Sequence, residues 1–563
     1  MVVQFLFSAL LFIQPASART IDGVHLTQMD IEHRDGLMET FRAHFDPAAI
    51  AATEAHMEDE HARGECLTGL VKDLKDSWHL FDADERAEMT AKLAPWKNDL
   101  LDSMVPAYGS SSEAPAGPTP PGSCWGTQKD NVITTEHFSV QWDDGVISEA
   151  QAEAFADSLE YSYEIEMNEL GWRPPEGISS YQLLVMVDSG GSAGAYTTVE
   201  SCGGRYLPYV VAYAGSFSAG NWYKTMACHE LHHAVQFGYG YAHEFWYWEA
   251  SATWVEDLVY PDLNDWLSAI SVYSQVPYIG MNASGRSDQT LFWHTYAMGI
   301  WGMFLDQHVG GNELVRDTWE VSQMTNCQYC LWMPDAVDRT GVDFAEVYAE
   351  FMATNAVMDY RDSLWIRTPE LSDDVSTLPA SGESDYRDRP QSLGQNFIQF
   401  DSSLGGSGKA LEVTFDGEND VDYWVAVLVR GDNTVEEMVE FELNDNMWGV
   451  ATIDFPGDSS IHLVVSPVDG DAQGYYYDWT SADDYDYNWS AQIVESQTPD
   501  DDDDDGNGGS DGDGNAGDVA QGDNSGEVIG QKGSGCACSS TTAQAPGWLV
   551  LMLGFLPLVR RRA

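Results

Sequence analysis

Residues 221–257 read NWYKTMACHELHHAVQFGYGYAHEFWYWEASATWVED, and the rest of the chain is read outward from them. Within them His229-Glu230-Leu231-His232-His233 matches the pattern H-E-x-x-H. On a helix, positions i and i+4 lie one above the other on one face. His229 and His233 can therefore offer two imidazole nitrogens to one metal ion, with Glu230 one residue round as a general base. A helix is expected here: Asn221 is a suitable N-cap, no Pro or Gly interrupts 222–237, and Gly238 is a natural stop. Trp222, Met226, Ala234 and Val235 give that helix apolar surface to bury.

A catalytic zinc site takes three protein ligands and keeps a further position open. A second helix is expected over 245–259, and it carries Glu249 and Glu256 seven residues apart on one face. Glu249 is the expected third ligand, with Glu256 as the rival, and Zn²⁺ is the metal that such a His, His, Glu set suits.

The strings HELHHAVQFGY and WEASATWVEDLVYPD resemble the gluzincin clan of zinc peptidases, in which a glutamate ligand sits on a second helix. More narrowly they resemble secreted metalloproteases of myxobacteria, over about residues 124–380. The resemblance implies a zincin-like fold, peptide hydrolysis, and Glu249 in the ligand role. Many gluzincins carry an acid four residues after that ligand to orient the first histidine. Here the position is Thr253, so the orienting role would pass to Glu256 or Asp257. The fifteen residues between His233 and Glu249 also make a shorter gap than in some branches.

The 563 residues carry 91 acids against 26 Lys plus Arg, a formal charge of -65. Nucleic acid is excluded as a partner by that field, and an exported, highly solvated surface fits it. Residues 1–18 read as a signal peptide, with an apolar run over 5–13 and Ala16-Ser17-Ala18 as a cleavage site. Export makes the cysteines candidates for disulfides: Cys327 with Cys330, Cys202 with Cys228, and Cys66 with Cys124. Cys66 as an inhibitory zinc ligand is the other use open to that residue.

Residues 19–105 are expected to be helical, notably 46–60 and 83–104, as a propeptide or a fixed N-terminal region. Residues 106–123 form a Pro/Gly/Ser linker. Residues 124–385 read as an α+β catalytic domain: strands over 131–142, 181–187 and 205–214, a long helix over 148–170, then the motif helix. By resemblance to zincins, 206–213 would be the edge strand on which an extended substrate lies. Peptidases of this kind take a Tyr or His from a downstream helix to stabilise the oxyanion, which points to Tyr296, or alternatively His294.

From 391 to 496 short alternating runs read as a β-sandwich, an accessory domain with turn aspartates that could take Ca²⁺. Residues 497–534 are an acidic linker. Residues 535–563 combine Cys536, Cys538, a short apolar segment and Arg560-Arg561-Arg562. That tail resembles the cell-surface sorting signals of myxobacteria, which implies membrane contact, a sorting or processing peptidase as partner, and anchoring at the cell surface. The reading is a secreted or surface-anchored zinc peptidase acting on protein or peptide substrates. The alternative is a non-catalytic adhesin or binding protein on a degenerate peptidase fold.

Overall fold

The computed structural model describes residues 20–21, 24–45, 65–93 and 129–496, apart from gaps at 191–193, 203–204, 219, 241–243, 286–288, 323–331, 362–365 and 471–482. Among the described residues helices and sheets combine in an α+β arrangement. The signal-like segment, the 106–123 linker, the acidic linker, the C-terminal tail, Cys124, Cys327 and Cys330 lie outside them, as does the Ala-rich stretch 46–60.

A small hairpin, β1 (Thr20–Ile21) and β2 (Val24–His25), leads into helix Gln28–His44. Thr27 and Asp30 close a capping box at that helix start, which satisfies backbone N–H groups the first turn leaves free. After β3 (Glu65–Cys66) come helices Thr68–Asp76 and Ala83–Leu93. The expected strand over 131–142 is a hairpin of β4 (Asn131–Thr134) and β5 (Phe138–Trp142). Its turn holds His137, which stacks on Tyr163 at 3.8 Å and bonds Glu160 through Nδ1 at 2.7 Å. Helix Glu149–Tyr163 runs on as a wider π-type turn, Glu164–Glu169. Then follow β6 (Leu183–Asp188), β7 (Gly194–Cys202) and β8 (Arg205–Tyr213).

These six strands form one mixed sheet in the order β3-β7-β8-β6-β5-β4. The 206–213 strand is therefore interior, and β7 is the strand nearest the metal-motif edge, with β3 laid parallel along it. Side chains alternate across the sheet. Val185, Val187, Val210 and Ala212 face helix Glu149–Tyr163 and the motif helix through Phe155, Leu159, Met226 and Leu231. Leu184, Met186, Tyr196, Tyr209, Val211 and Tyr213 face the N-terminal helices through Phe41, Leu70, Leu74, Phe81 and Leu93. Residues upstream of the linker thus cover one face of the sheet over β6, β7 and β8.

The motif helix is Trp222–Tyr239. It runs through Gly238 and ends at Gly240, whose φ of 117° suits glycine. Asn221 sits at its start without a side-chain cap bond. The glutamate helix, Phe245–Val259, packs on it and on helix Gly299–Phe304. Glycine makes the second packing possible: a Cβ at Gly302 would stand 2.7 Å from Trp254 Cγ. Tryptophans 246, 248, 254, 266, 301 and 319 fill this core.

The C-terminal part holds two sheets packed on one another through Phe400, Leu411, Leu428 and Ile453, with strands also recruited from upstream of 391. Its four-stranded sheet is ordered β10 (Ala380–Glu383), β17 (Tyr487–Glu495), β12 (Lys409–Gly417), β15 (Trp448–Asp454). The five-stranded sheet is ordered β14 (Glu437–Glu440), β13 (Tyr423–Arg430), β16 (Ile461–Val468), β11 (Asn396–Phe400), β9 (Asp373–Val375). Val425, Val427, Val429, Val464 and Val468 of the second sheet join the tryptophan-rich core, so the sandwich packs directly on the helices.

Candidate metal centre

The motif helix places His229 and His233 one turn apart with their Nε2 atoms 3.1 Å from each other. Glu249 Oε2, from the glutamate helix, stands 3.1 Å from His229 Nε2 and 3.5 Å from His233 Nε2. All three residues are buried. Glu249 Oε1 has no hydrogen-bond partner among the described residues.

The outward ring atoms fix the tautomers. His229 Nδ1 lies 2.5 Å from Glu256 Oε1, so Nδ1–H donates to that carboxylate. His233 Nδ1 lies 2.7 Å from Gln236 Oε1. Gln236 Nε2 donates to Trp248 O at 2.9 Å and to Ser251 Oγ at 3.0 Å, which turns its oxygen to the ring. Both Nε2 lone pairs therefore point at one place, beside a carboxylate oxygen. Converging lone pairs repel unless a cation sits among them. Absent a cation, a proton meets that demand. Burial pulls the His229 imidazole down, but its bonds to Glu249 and Glu256 outweigh this and raise it to about 9. Burial raises Glu249, yet the His233 charge and the bonds from both rings bring it well below the usual carboxylate range.

Glu256 is thus not a ligand but the acceptor that orients His229, on the far side of the ring from Glu249. This is the role that Thr253 leaves vacant. Asp257 is engaged instead by Arg361 at 3.1 Å. His232, the remaining histidine of the motif, bonds Glu166 at 3.0 Å under the edge of Trp172. Burial drives His232 well down and Glu166 well up.

Glu230 lies beside the cluster, 1 % exposed. Its Oε2 accepts from Thr197 Oγ1 at 2.6 Å and from Thr68 Oγ1 at 3.3 Å. Tyr296 stacks on His229 with ring centroids 6.0 Å apart, and its hydroxyl donates to Cys66 O at 3.2 Å. His294 is buried two residues earlier on the same helix, on its opposite side, with neither ring nitrogen bonded to the cluster. Burial lowers it to about 4, against a backbone bond at Ala283 that works the other way. The structure brings together five of the expected residues, His229, Glu230, His233, Glu249 and Tyr296, and leaves His294 apart.

Cys66 is the addition. Its Sγ lies 3.3 Å from His233 Nε2. Cys66, His229, His233 and Glu249 present ligand atoms all within 4.8 Å of one another, the one group among the described residues that could hold a metal ion. The turn aspartates of the sandwich form none there, so the Ca²⁺ expectation gains no site. Two imidazoles, a carboxylate and a thiol fit a borderline-soft divalent ion. Burial pushes the Cys66 thiol up, and the charges of Glu230 and Glu249 push it further; a cation reverses that by binding the thiolate. Cys66 and Cys228 are both free thiols, which removes the Cys66–Cys124 and Cys202–Cys228 pairings. Cys202 is disulfide-bonded. Cys228 cannot reach it because the motif helix aims its sulfur at Glu166, 3.9 Å away.

No family model matches this chain, and no curated protein matches it. Among solved structures, the pre-peptidase C-terminal domain of a collagenase from Bacillus anthracis is 14% identical with a TM-score of 0.16, covering 22% of this chain and 99% of that one. A 4-O-methyl-alpha-glucuronidase with specificity for decorated arabinogalactans is 9% identical with a TM-score of 0.13, covering 49% of this chain and 39% of that one.

Proposed function

We propose that this chain is a zinc-dependent peptidase of gluzincin type with a zincin-like catalytic domain, exported and held at the cell surface by its C-terminal tail. The observation that carries the reading is the convergence of His229 Nε2, His233 Nε2 and Glu249 Oε2 within 3.5 Å, with Glu230 alongside. Bound there, zinc supplies Lewis acidity toward water and a peptide carbonyl. His229, His233 and Glu249 hold it, while Glu256 and Gln236 lock the two rings. Glu230 accepts a proton at its carboxylate and hands it to the departing amine; Thr197 fixes the carboxylate for that work. The Tyr296 hydroxyl already donates to a backbone carbonyl at the site, the contact a scissile carbonyl would receive. Peptide or protein is the substrate, and a sorting or processing peptidase acting on the tail is the partner.

A four-donor set is also what a structural zinc site uses, which favours the second reading, a non-catalytic surface protein. Glu230 separates the two, because a structural site has no use for it. The test is zinc content and casein digestion, with and without chelator, on wild-type and Cys66→Ala chains, each beside its Glu230→Gln variant. One zinc per chain, with digestion abolished by chelator and by Glu230→Gln, is expected. Zinc with no digestion in either background would refute the peptidase reading.

A further inference from the structure

We propose that residues 65–68 are a built-in occupant of the substrate groove, with Cys66 Sγ closing the one ligand position that a hydrolytic metal centre must keep open. The full chain is then latent; the latency, though not the ligation, rests on the peptidase reading above.

The segment is held as a bound peptide would be. β3 adds to the free edge of β7, with Glu65 opposite Gly194 and Cys66 opposite Ala195. Leu67 N–H donates to Ala195 O at 2.7 Å, and Thr197 N–H donates to Thr68 Oγ1 at 2.8 Å. Every group that peptide hydrolysis would use is engaged by residues 66–68. Cys66 Sγ faces the histidine pair, Cys66 O takes the Tyr296 hydroxyl, and Thr68 Oγ1 bonds Glu230. Thr68 N–H, donating to Cys66 Sγ at 3.4 Å, is placed to stabilise negative charge on the sulfur.

A second observation points the same way. The other three ligand atoms come from two adjacent helices within one stretch of chain, whereas Cys66 lies 167 residues from His233. It is presented by an independent element, helix Thr68–Asp76, whose Leu70, Val71 and Leu74 are anchored in the N-terminal core. Ion binding releases the thiol proton to solvent, and withdrawal of the strand returns a proton to sulfur, so no oxidant or reductant is needed.

The test uses the full chain loaded with Co²⁺ in place of zinc. Wild type and Cys228→Ala are expected to show thiolate-to-cobalt charge-transfer absorption in the near ultraviolet, and Cys66→Ala and Cys66→Ser to lack it. Acetohydroxamate should then perturb the cobalt spectrum of the Cys66 variants at least about tenfold more tightly than that of wild type. Absence of the band in wild type, its persistence in both Cys66 variants, or equal hydroxamate affinity would each overturn the proposal. Neither readout needs turnover. Hydroxamate access without casein digestion in Cys66→Ala would therefore sink the peptidase reading while leaving the ligation intact.

Discussion

Replacing Glu256 gives the sharpest test of how the metal centre is organised. Its carboxylate touches no ligand position; it holds His229 Nδ1–H at 2.5 Å in a buried, charge-assisted hydrogen bond. Bonds of that kind contribute about 1.5–3 kcal/mol. Loss of a ligand-orienting partner costs about 10–100-fold in metal affinity. The two scales agree, since about 2 kcal/mol corresponds to about 30-fold. Glu256→Ala should therefore weaken zinc binding by about 30-fold while a saturated sample still holds one ion. Glu256→Gln keeps an acceptor oxygen and loses only the charge, so about tenfold is expected. Glu249→Ala removes a donor atom and should weaken binding more than either. The assay is competition against a chromophoric chelator at neutral pH, with far-ultraviolet dichroism to confirm folding. Normal affinity in Glu249→Ala beside loss in Glu256→Ala would exchange the two roles. Wild-type affinity in both Glu256 variants would remove the orienting role altogether.

Thr197→Val deletes the 2.6 Å bond that fixes Glu230, so peptide turnover measured in the Cys66→Ala background should fall about tenfold with zinc content unchanged; an unchanged rate would dismiss Thr197 as a positioning residue. Gly302→Ala drives a Cβ to 2.7 Å from Trp254 Cγ, and overpacking there should cost about 1–3 kcal/mol of stability in urea titration. His462 is buried in the sandwich, and burial lowers its imidazole to about 4 from the ordinary 6.5 although Asp432 draws it upward. The unfolded chain then takes up the proton first, so stability is present above about 6.5 and is lost as pH falls toward about 4. A gap of that size corresponds to about 3 kcal/mol. His462→Gln should flatten acid unfolding across that window, and an unchanged slope would rule His462 out as its source.

The parts of the site that lie close along the chain were legible in the sequence. Helical spacing alone aligns His229 with His233, and two glutamates on the next helix leave only two ligand choices. What separates Glu249 from Glu256 is which side of an imidazole each reaches, and periodicity carries no such information. Strand β7 gave no signal because eight of its nine residues are buried, so polar and apolar positions do not alternate. Thr197 went unseen with it. Strand β15, buried at every second residue, shows the pattern that made the sandwich readable. β9 (Asp-Asp-Val) and β10 (Ala-Ser-Gly-Glu) are short and mostly poor strand formers, and only their pairing with β11 and β17 makes them strands. For Cys66, export favours a disulfide over metal ligation, and nothing local to residue 66 records its approach to residue 233.

The covering of one sheet face by the N-terminal helices separates two events that are easily equated. A cut within residues 106–123 severs the chain but touches none of the contacts of Phe41, Leu70, Leu74 and Phe81 with Tyr196, Tyr209 and Tyr213. The nicked product would then be a complex of two polypeptides, and on the proposed peptidase reading the onset of activity would follow the rate at which the smaller one departs. Such a system behaves as a timer. Dilution, detergent or a competing apolar surface would advance it, whereas more of the nicking protease would not.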